Sequence, residues 1–283
     1  MELVFVYGTL RQGERYHHLL ENSRPVAMLA RVEGIIVDTG LGYPALVEVS
    51  SGSVAGEVYE VTDDVLAALD ELEDYYGPDA DNNEYERVRT QVQTDLGQIP
   101  AWIYVYRRDH IYPLISGGDW KLYRLRKEKE LYYFAYGSCM DTERIEAAGV
   151  AGWFRPVEGA AVLPGFSLQF TLPLADGSRA DIVETGGSVE GILYRIPEEC
   201  LEGYLYQREG VEEGIYRPAV VPVRMDDSIV DAVCFVVVDK KEETAPPAHY
   251  MKEILRGARH KVSAEYYARL TEHFFKEFGY CLD

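Results

Sequence analysis

Two apolar runs in this chain stop abruptly at glycine. Leu3-Val4-Phe5-Val6-Tyr7 runs into Gly8-Thr9-Leu10, and Leu131-Tyr132-Tyr133-Phe134-Ala135-Tyr136 runs into Gly137-Ser138-Cys139-Met140. A short continuous apolar run of this kind reads as a buried strand that feeds straight into a tight turn. After the first turn, residues 11–20 read as a loop entering a short helix. Strands follow at 32–37 and 45–49, with Gly40, Gly42 and Pro44 in the loop between them, and an alternating strand at 54–61. Thr62 then has the character of an N-cap, with Asp63 and Asp64 in the first turn. The helix it starts turns Val65, Leu66, Leu69 and Leu72 inward and delivers Glu73 at its end. A loop over 75–83 leads to strands at 85–92 and 101–106.

The second half repeats this plan. Tyr7-Gly8 returns as Tyr136-Gly137 (offset 129) and Gly56 as Gly191 (135). Glu73 returns as Glu209 (136) and Tyr85 as Tyr216 (131), while Pro44-Ala45 has its counterpart near Ala180. Landmarks in one order at nearly one offset identify a tandem duplication. The expected organisation is an N-terminal domain over 1–110, a connection over 111–129 and a C-terminal domain over 130–283. The second copy carries an extra tail, a helical stretch around Tyr250, Ile254, Leu255 and Ala258, then a last helix capped by Ser263 and running through Phe275.

Length and charge narrow the function classes. The 283 residues suffice for two domains that each bury a core. A formal net charge of −20 sets the chain against phosphate backbones and anionic membrane surfaces, so no nucleic-acid or membrane partner is expected. No apolar run is long enough for a membrane helix. The N-terminus has no secretory signal pattern, and the four cysteines have no paired metal-ligand spacing. The histidines, His17-His18 included, have none either, so no metal site is expected. These features point to a cytoplasmic protein with reduced thiols.

A strand followed by Tyr-Gly-(Ser/Thr) presents several backbone N–H groups in a concave arc that suits a carboxylate or oxyanion. Glycine serves there where the chain turns sharply or a ligand comes close. A glutamate partly withdrawn from water can act as a general base near neutral pH. Neither feature is specific alone. Their recurrence in register, Gly8 with Glu73 and Gly137 with Glu209, makes them a candidate site in each copy.

The stretch from Leu131 to Ile145, with its Phe134-Ala135-Tyr136-Gly137-Ser138-Cys139-Met140 core, resembles the opening of the gamma-glutamylcyclotransferases. Arg208-Glu209-Gly210-Val211 with Tyr216 seven residues after the acid resembles the family's Glu-Gly-Val segment. Residues 246–250 and Gly257-Ala258 resemble its C-terminal pattern. Val6-Tyr7-Gly8-Thr9-Leu10-Arg11 and Leu69-Asp70-Glu71-Leu72-Glu73 are similar to the shorter bacterial and plant branch. The resemblance implies an α+β fold, two tandem domains that are each a small mixed β-barrel with flanking helices. It also implies cyclisation of a gamma-glutamyl amide or dipeptide, in which the substrate's own α-amine attacks its γ-carbonyl and releases 5-oxoproline. Glu209 and Glu73 would then be the catalytic acid/base groups. Tyr136, Gly137, Ser138, Cys139 and Met140, with Tyr7, Gly8, Thr9 and Leu10, would bind substrate together with Tyr216 and Tyr250. No metal or organic cofactor is implied, and the partner is a small gamma-glutamyl compound.

The chain departs from the family pattern in three places. Cys139 stands where the family has Asn, Tyr206 where an Asp is expected, and Asp74 where Gly usually follows the acid. A thiol nucleophile at Cys139 is disfavoured, because no histidine is near in sequence and the substrate supplies its own attacking amine. The second copy is the expected seat of activity. Two further readings stay open: a non-catalytic module that binds gamma-glutamyl compounds, and a transferase that uses another nucleophile.

Overall fold

The computed structural model describes residues 1–107 and 112–281, which fold as two compact units, Met1–Arg124 and Leu125–Asp283. Each unit is built on a closed five-stranded barrel. In the first unit β1 (Glu2–Val6), β2 (Arg24–Glu33), β5 (Ser53–Val61), β6 (Tyr85–Thr94) and β7 (Gly97–Tyr106) close in the order β1-β5-β2-β6-β7. The pairings are antiparallel except β1 with β7, which run parallel. A two-stranded flap, β3 (Ile35–Asp38) with β4 (Pro44–Val47), and helix α1 (Asp63–Leu72) complete this plan.

The second unit repeats it strand for strand. Its barrel closes as β12-β8-β14-β13-β9, made of β8 (Glu130–Ala135), β9 (Val157–Pro164), β12 (Ser188–Pro197), β13 (Tyr216–Met225) and β14 (Ser228–Val237). Here too one pairing, β8 with β14, is parallel. Strands β10 (Ser167–Leu174) and β11 (Gly177–Val183) form the second flap. Two short helices, α3 (Thr142–Ala147) and α4 (Tyr206–Glu209), precede the tail, which adds α5 (Ala248–Ala258) and α6 (Ala264–Phe278), the latter capped by Ser263, whose hydroxyl accepts from the Tyr266 amide. Among the described residues, no helix is long and apolar enough to cross a membrane.

The continuous apolar character of β1 follows from burial on both faces. Phe5 and Tyr7 join one core cluster with Val54, Val58, Ile103 and Trp120, while Val4 and Val6 join another with Leu20, Tyr59 and Leu69. Helix α1 starts as its sequence suggests, with the Thr62 hydroxyl accepting from the Val65 amide at 3.3 Å. It ends one residue before Glu73, because Asp74 takes a left-handed conformation (φ 49°). The second unit uses Gly210 at the matching step (φ 62°).

Two expectations need correction. The expected strand over 32–37 is two strands that meet at Gly34, whose φ of 140° breaks the run between β2 and β3. The segment expected to connect the domains belongs largely to the first unit. Ile115 and Trp120 are buried in its core, and Asp38 and Ala55 donate to the carbonyls of Pro113 and Gly118. Helix α2 (Trp120–Leu125) follows, so the chain is still packing against the first barrel where a free link was expected. The expected boundary between 110 and 111 lies outside the described residues.

Gly56 on β5 and Gly191 on β12 sit under the last carbonyls of β1 and β8. A Cβ at Gly56 would lie 2.4 Å from the Val6 carbonyl oxygen and 2.5 Å from the Phe5 ring; one at Gly191 would lie 2.3 Å from the Ala135 oxygen. Backbone atoms in a closed barrel cannot retreat. Gly56→Ala and Gly191→Ala are each expected to destabilise their own unit by about 1–3 kcal/mol or more. Gly152→Ala, where a Cβ meets nothing within 4 Å, is expected to change stability by less than about 0.5 kcal/mol. Urea unfolding of the three variants checks this.

Candidate active site

Each barrel opens a pocket where β1 or β8 runs into its turn. The pocket of the first unit has a volume of about 240 Å³, at the small end for ligand sites. Its floor is the turn Gly8-Thr9-Leu10, its walls include Tyr16, Tyr43, Pro44, Leu72, Tyr85 and Tyr104, and its acids are Glu73, Asp74 and Glu84. The amides of Gly8, Thr9 and Leu10 donate to no protein acceptor among the described residues, whereas the carbonyls of Gly8 and Thr9 are held by the amides of Arg11 and Tyr16. Three successive free N–H groups beside a cavity are an anion-binding surface.

The turn is anchored by a buried ion cluster that sequence reading did not anticipate. Arg11 is 2 % exposed and donates to Glu57 at 3.1 Å and to Asp119 at 2.7 Å. Glu57 also accepts from the Gln12 amide and the Tyr59 hydroxyl, both at 2.8 Å. Burial would disfavour the charge on Arg11, but its two carboxylates more than offset that and keep it cationic. A glutamate between apolar strand neighbours was the one available sign, and its partners lie far away in sequence.

The tyrosines divide by role. Tyr7 donates to the Tyr104 carbonyl (2.9 Å) and accepts from the Leu46 amide, and Tyr85 reaches the Pro44 carbonyl. The second unit makes the same bonds: Tyr136 donates to the Phe235 carbonyl and Tyr216 to the Ala180 carbonyl. These four hydroxyls are spent on backbone acceptors: Tyr7 and Tyr136 tie the end of the first strand to β7 or β14, Tyr85 and Tyr216 hold the barrel to its flap, and all four line the pockets with their rings. Tyr250, on α5, accepts from the Ala180 amide at 3.3 Å and closes the second pocket beside Gly137. Burial pushes its hydroxyl up to about 12.

Glu73 and Glu209 enter equivalent pockets with different neighbours. No basic side chain lines the first pocket. Glu73 is withdrawn from water there and repelled by Glu84 and Asp74, which pushes its carboxyl up to about 8. In the second pocket, burial also raises Glu209, but Arg208 opposes the shift with its Nε 3.0 Å from Glu209 Oε1. That pocket holds only about 40 Å³ and is lined by Tyr133, Tyr136, Gly137, Ser138, Cys139, Arg208 and Tyr216 among others. Cys139 is buried and its thiol is pushed up, first by desolvation, the opposite of an activated nucleophile. Met140 does not reach the pocket: it is fully buried beneath Gly257 of α5, where a Cβ would lie 2.6 Å from the Met140 carbonyl carbon.

These two pockets sit on a chain whose relatives are recognisable. The family model "Gamma-glutamyl cyclotransferase, AIG2-like" matches residues 4–122, and the model "AIG2-like family" matches residues 188–270. YkqA of Bacillus subtilis (strain 168), which carries a provisional gamma-glutamylcyclotransferase name, is 42% identical over 96% of this chain and 96% of its own. The chain belongs to the gamma-glutamylcyclotransferase family. The crystal structure of YkqA covers 98% of both chains with a TM-score of 0.86, so the tandem arrangement of two barrels is common to both proteins. The gamma-L-glutamyl-butirosin B gamma-glutamyl cyclotransferase of Niallia circulans is 43% identical over 44% of this chain and 80% of its own.

The raised carboxyl has a measurable consequence for stability. Glu73 is neutral in both folded and unfolded chain below its ordinary value of 4.5, and ionises first in the unfolded chain as pH rises towards 8. Its neutral burial therefore favours folding at low pH, and this contribution is lost progressively up to about pH 8. Glu73→Gln is expected to raise the melting temperature of the first unit at pH 8 and to leave it unchanged below pH 4.5. Calorimetry at the two pH values checks it.

Proposed function

We propose that this protein cyclises a gamma-glutamyl amide or dipeptide to 5-oxoproline and releases the amine or amino acid, and that the first unit does this chemistry. One observation carries the reading: Glu73, without a cationic partner, lines the same cavity of about 240 Å³ as the free-amide turn Gly8-Thr9-Leu10. Family membership supports the reaction class.

In this mechanism the turn amides hold a substrate carboxylate or the oxyanion that develops on the γ-carbonyl. The α-amine attacks that carbonyl and forms the new C–N bond of a five-membered ring. Glu73 takes the proton the attacking nitrogen loses and gives it to the departing nitrogen as the old amide bond breaks. No water or outside nucleophile is consumed. Ring closure requires a folded substrate, so the rings of Tyr16, Tyr43 and Tyr85 contribute by confining it. A carboxyl near 8 is well matched to this double duty, since it is readily deprotonated and reprotonated close to neutral pH.

The test is 5-oxoproline release from a panel of gamma-glutamyl amides and dipeptides. Glu73→Gln is expected to lower kcat/KM by about 10²–10⁴-fold. A wild type that binds panel members but releases no 5-oxoproline would overturn the cyclisation and leave the binding-module and transferase readings. The pH profile gives a second check. Because Glu73 must ionise to act as base, kcat/KM should rise with pH through about 8. Asp74→Asn removes a repelling charge and should move that midpoint downward.

A further inference from the structure

Arg208 occupies a position that has no charged counterpart in the first unit, where Leu72 precedes the acid. Its guanidinium spans the second pocket. Nε lies 3.0 Å from Glu209 Oε1, Nη2 donates to the Ser138 hydroxyl at 3.0 Å, and Nη1 reaches the Tyr204 hydroxyl at 3.4 Å. Ser138 belongs to the turn that matches Gly8-Thr9-Leu10, and the amides of Gly137, Ser138 and Cys139 likewise donate to no protein acceptor among the described residues. The turn and the acid are thus preserved while the space between them is taken. The residual volume of about 40 Å³ has room for little more than a water molecule, against about 240 Å³ in the first unit. Arg208 also borders a surface groove lined by Arg144, Glu253 and Arg256, so its side chain stands between that groove and the pocket.

We infer that Arg208 is a built-in occupant of the second pocket, which withholds Glu209 and the Gly137–Cys139 turn from substrate and confines turnover to the first unit. The inference rests on the reaction proposed above for its account of turnover, and on geometry alone for its account of occupancy. The guanidinium held against Glu209 occupies the carboxyl oxygen that would have to take the substrate's proton, so the acid is engaged by its neighbour instead of by substrate. Both consequences follow from one side chain. The second barrel is thereby a preserved but stoppered copy, and Arg208 decides which of the two copies is used.

The experiment uses the full chain and has two arms. In the first, Glu209→Gln is expected to keep 5-oxoproline release within about twofold of wild type, whereas Glu73→Gln lowers it by about 10²–10⁴-fold; a large loss with Glu209→Gln overturns the inference. In the second, calorimetric titration with a gamma-glutamyl amide is run on Glu73→Gln, whose slowed turnover leaves the amide intact during the titration. One equivalent per chain is expected. Adding Arg208→Ala or Arg208→Gln is expected to raise this to two, and the glutamine variant, which keeps a donor beside Glu209, guards against misfolding of the alanine variant. Two equivalents before Arg208 is changed, or a stoichiometry unmoved by both substitutions, overturns the inference. Absence of 5-oxoproline from the wild type would sink the proposed reaction instead, and the stoichiometry would still decide whether Arg208 stoppers the pocket.

Discussion

Each barrel contains a close approach between a glycine and the carbonyl that ends its first strand. Gly56 lies under the carbonyl of Val6, and Gly191 under that of Ala135, with no room for a methyl group in either case. This contact fixes where β1 and β8 end, and the chain turns directly afterwards. The site depends on that end point. A strand one residue longer would carry the turn amides past the acid, and a strand one residue shorter would leave Tyr7 or Tyr136 unable to reach its carbonyl on β7 or β14. Each turn is then tied down by buried charge, but with different parts. The first unit uses Arg11 with Glu57 and Asp119, while the second uses Asp141 with Arg256 from α5 and the ammonium of Lys261 on the Met140 carbonyl. Arg11 is matched by the uncharged Met140, so the anchoring charge of the second turn comes from the next residue, Asp141.

Conserved architecture and divergent electrostatics coexist because they involve different atoms. The bonds that recur in both units run from tyrosine hydroxyls to backbone carbonyls: Tyr7 to Tyr104, Tyr136 to Phe235, Tyr85 to Pro44, Tyr216 to Ala180. Such bonds set geometry and are indifferent to what fills the pocket. The carboxylates respond to filling. Glu73 has only acids and apolar or aromatic groups near it, while Glu209 has Arg208. One substitution beside the acid alters charge, volume and hydrogen bonding together, which is why the two pockets differ far more than the two barrels.

Much of the fold could be read from the chain where a signal is local. The caps at Thr62 and Ser263 are side-chain oxygens bonding amides three residues on, so spacing alone reveals them. Strand β2 went largely unread because two register shifts against β5, between Pro25 and Ala27 and between Ala27 and Ala30, destroy its alternation. The segment around Ile115 and Trp120 looked like a connection because its few apolar residues are scattered among glycines and charges. Its place in the first unit comes from contacts with residues from 63 to 108 positions earlier. Met140 was grouped with the pocket by adjacency to Cys139, and the helical twist of the turn points it instead at α5.

The sequence by itself determined the duplication, the two strand-to-turn junctions and the pairing of each turn with one glutamate, because these are matters of order and spacing along the chain. It could not determine what each glutamate meets. Arg208 adjoins Glu209 in sequence, as Asp74 adjoins Glu73, and adjacency does not say whether a side chain points into a pocket or out to solvent. Tertiary structure decided that. Barrel closure brings Ser138 within reach of the Arg208 guanidinium, and the fold brings Glu84 towards Glu73. The depth of a carboxylate and the charge facing it depend on distances between segments far apart in the chain, and those distances exist only once the barrel has closed.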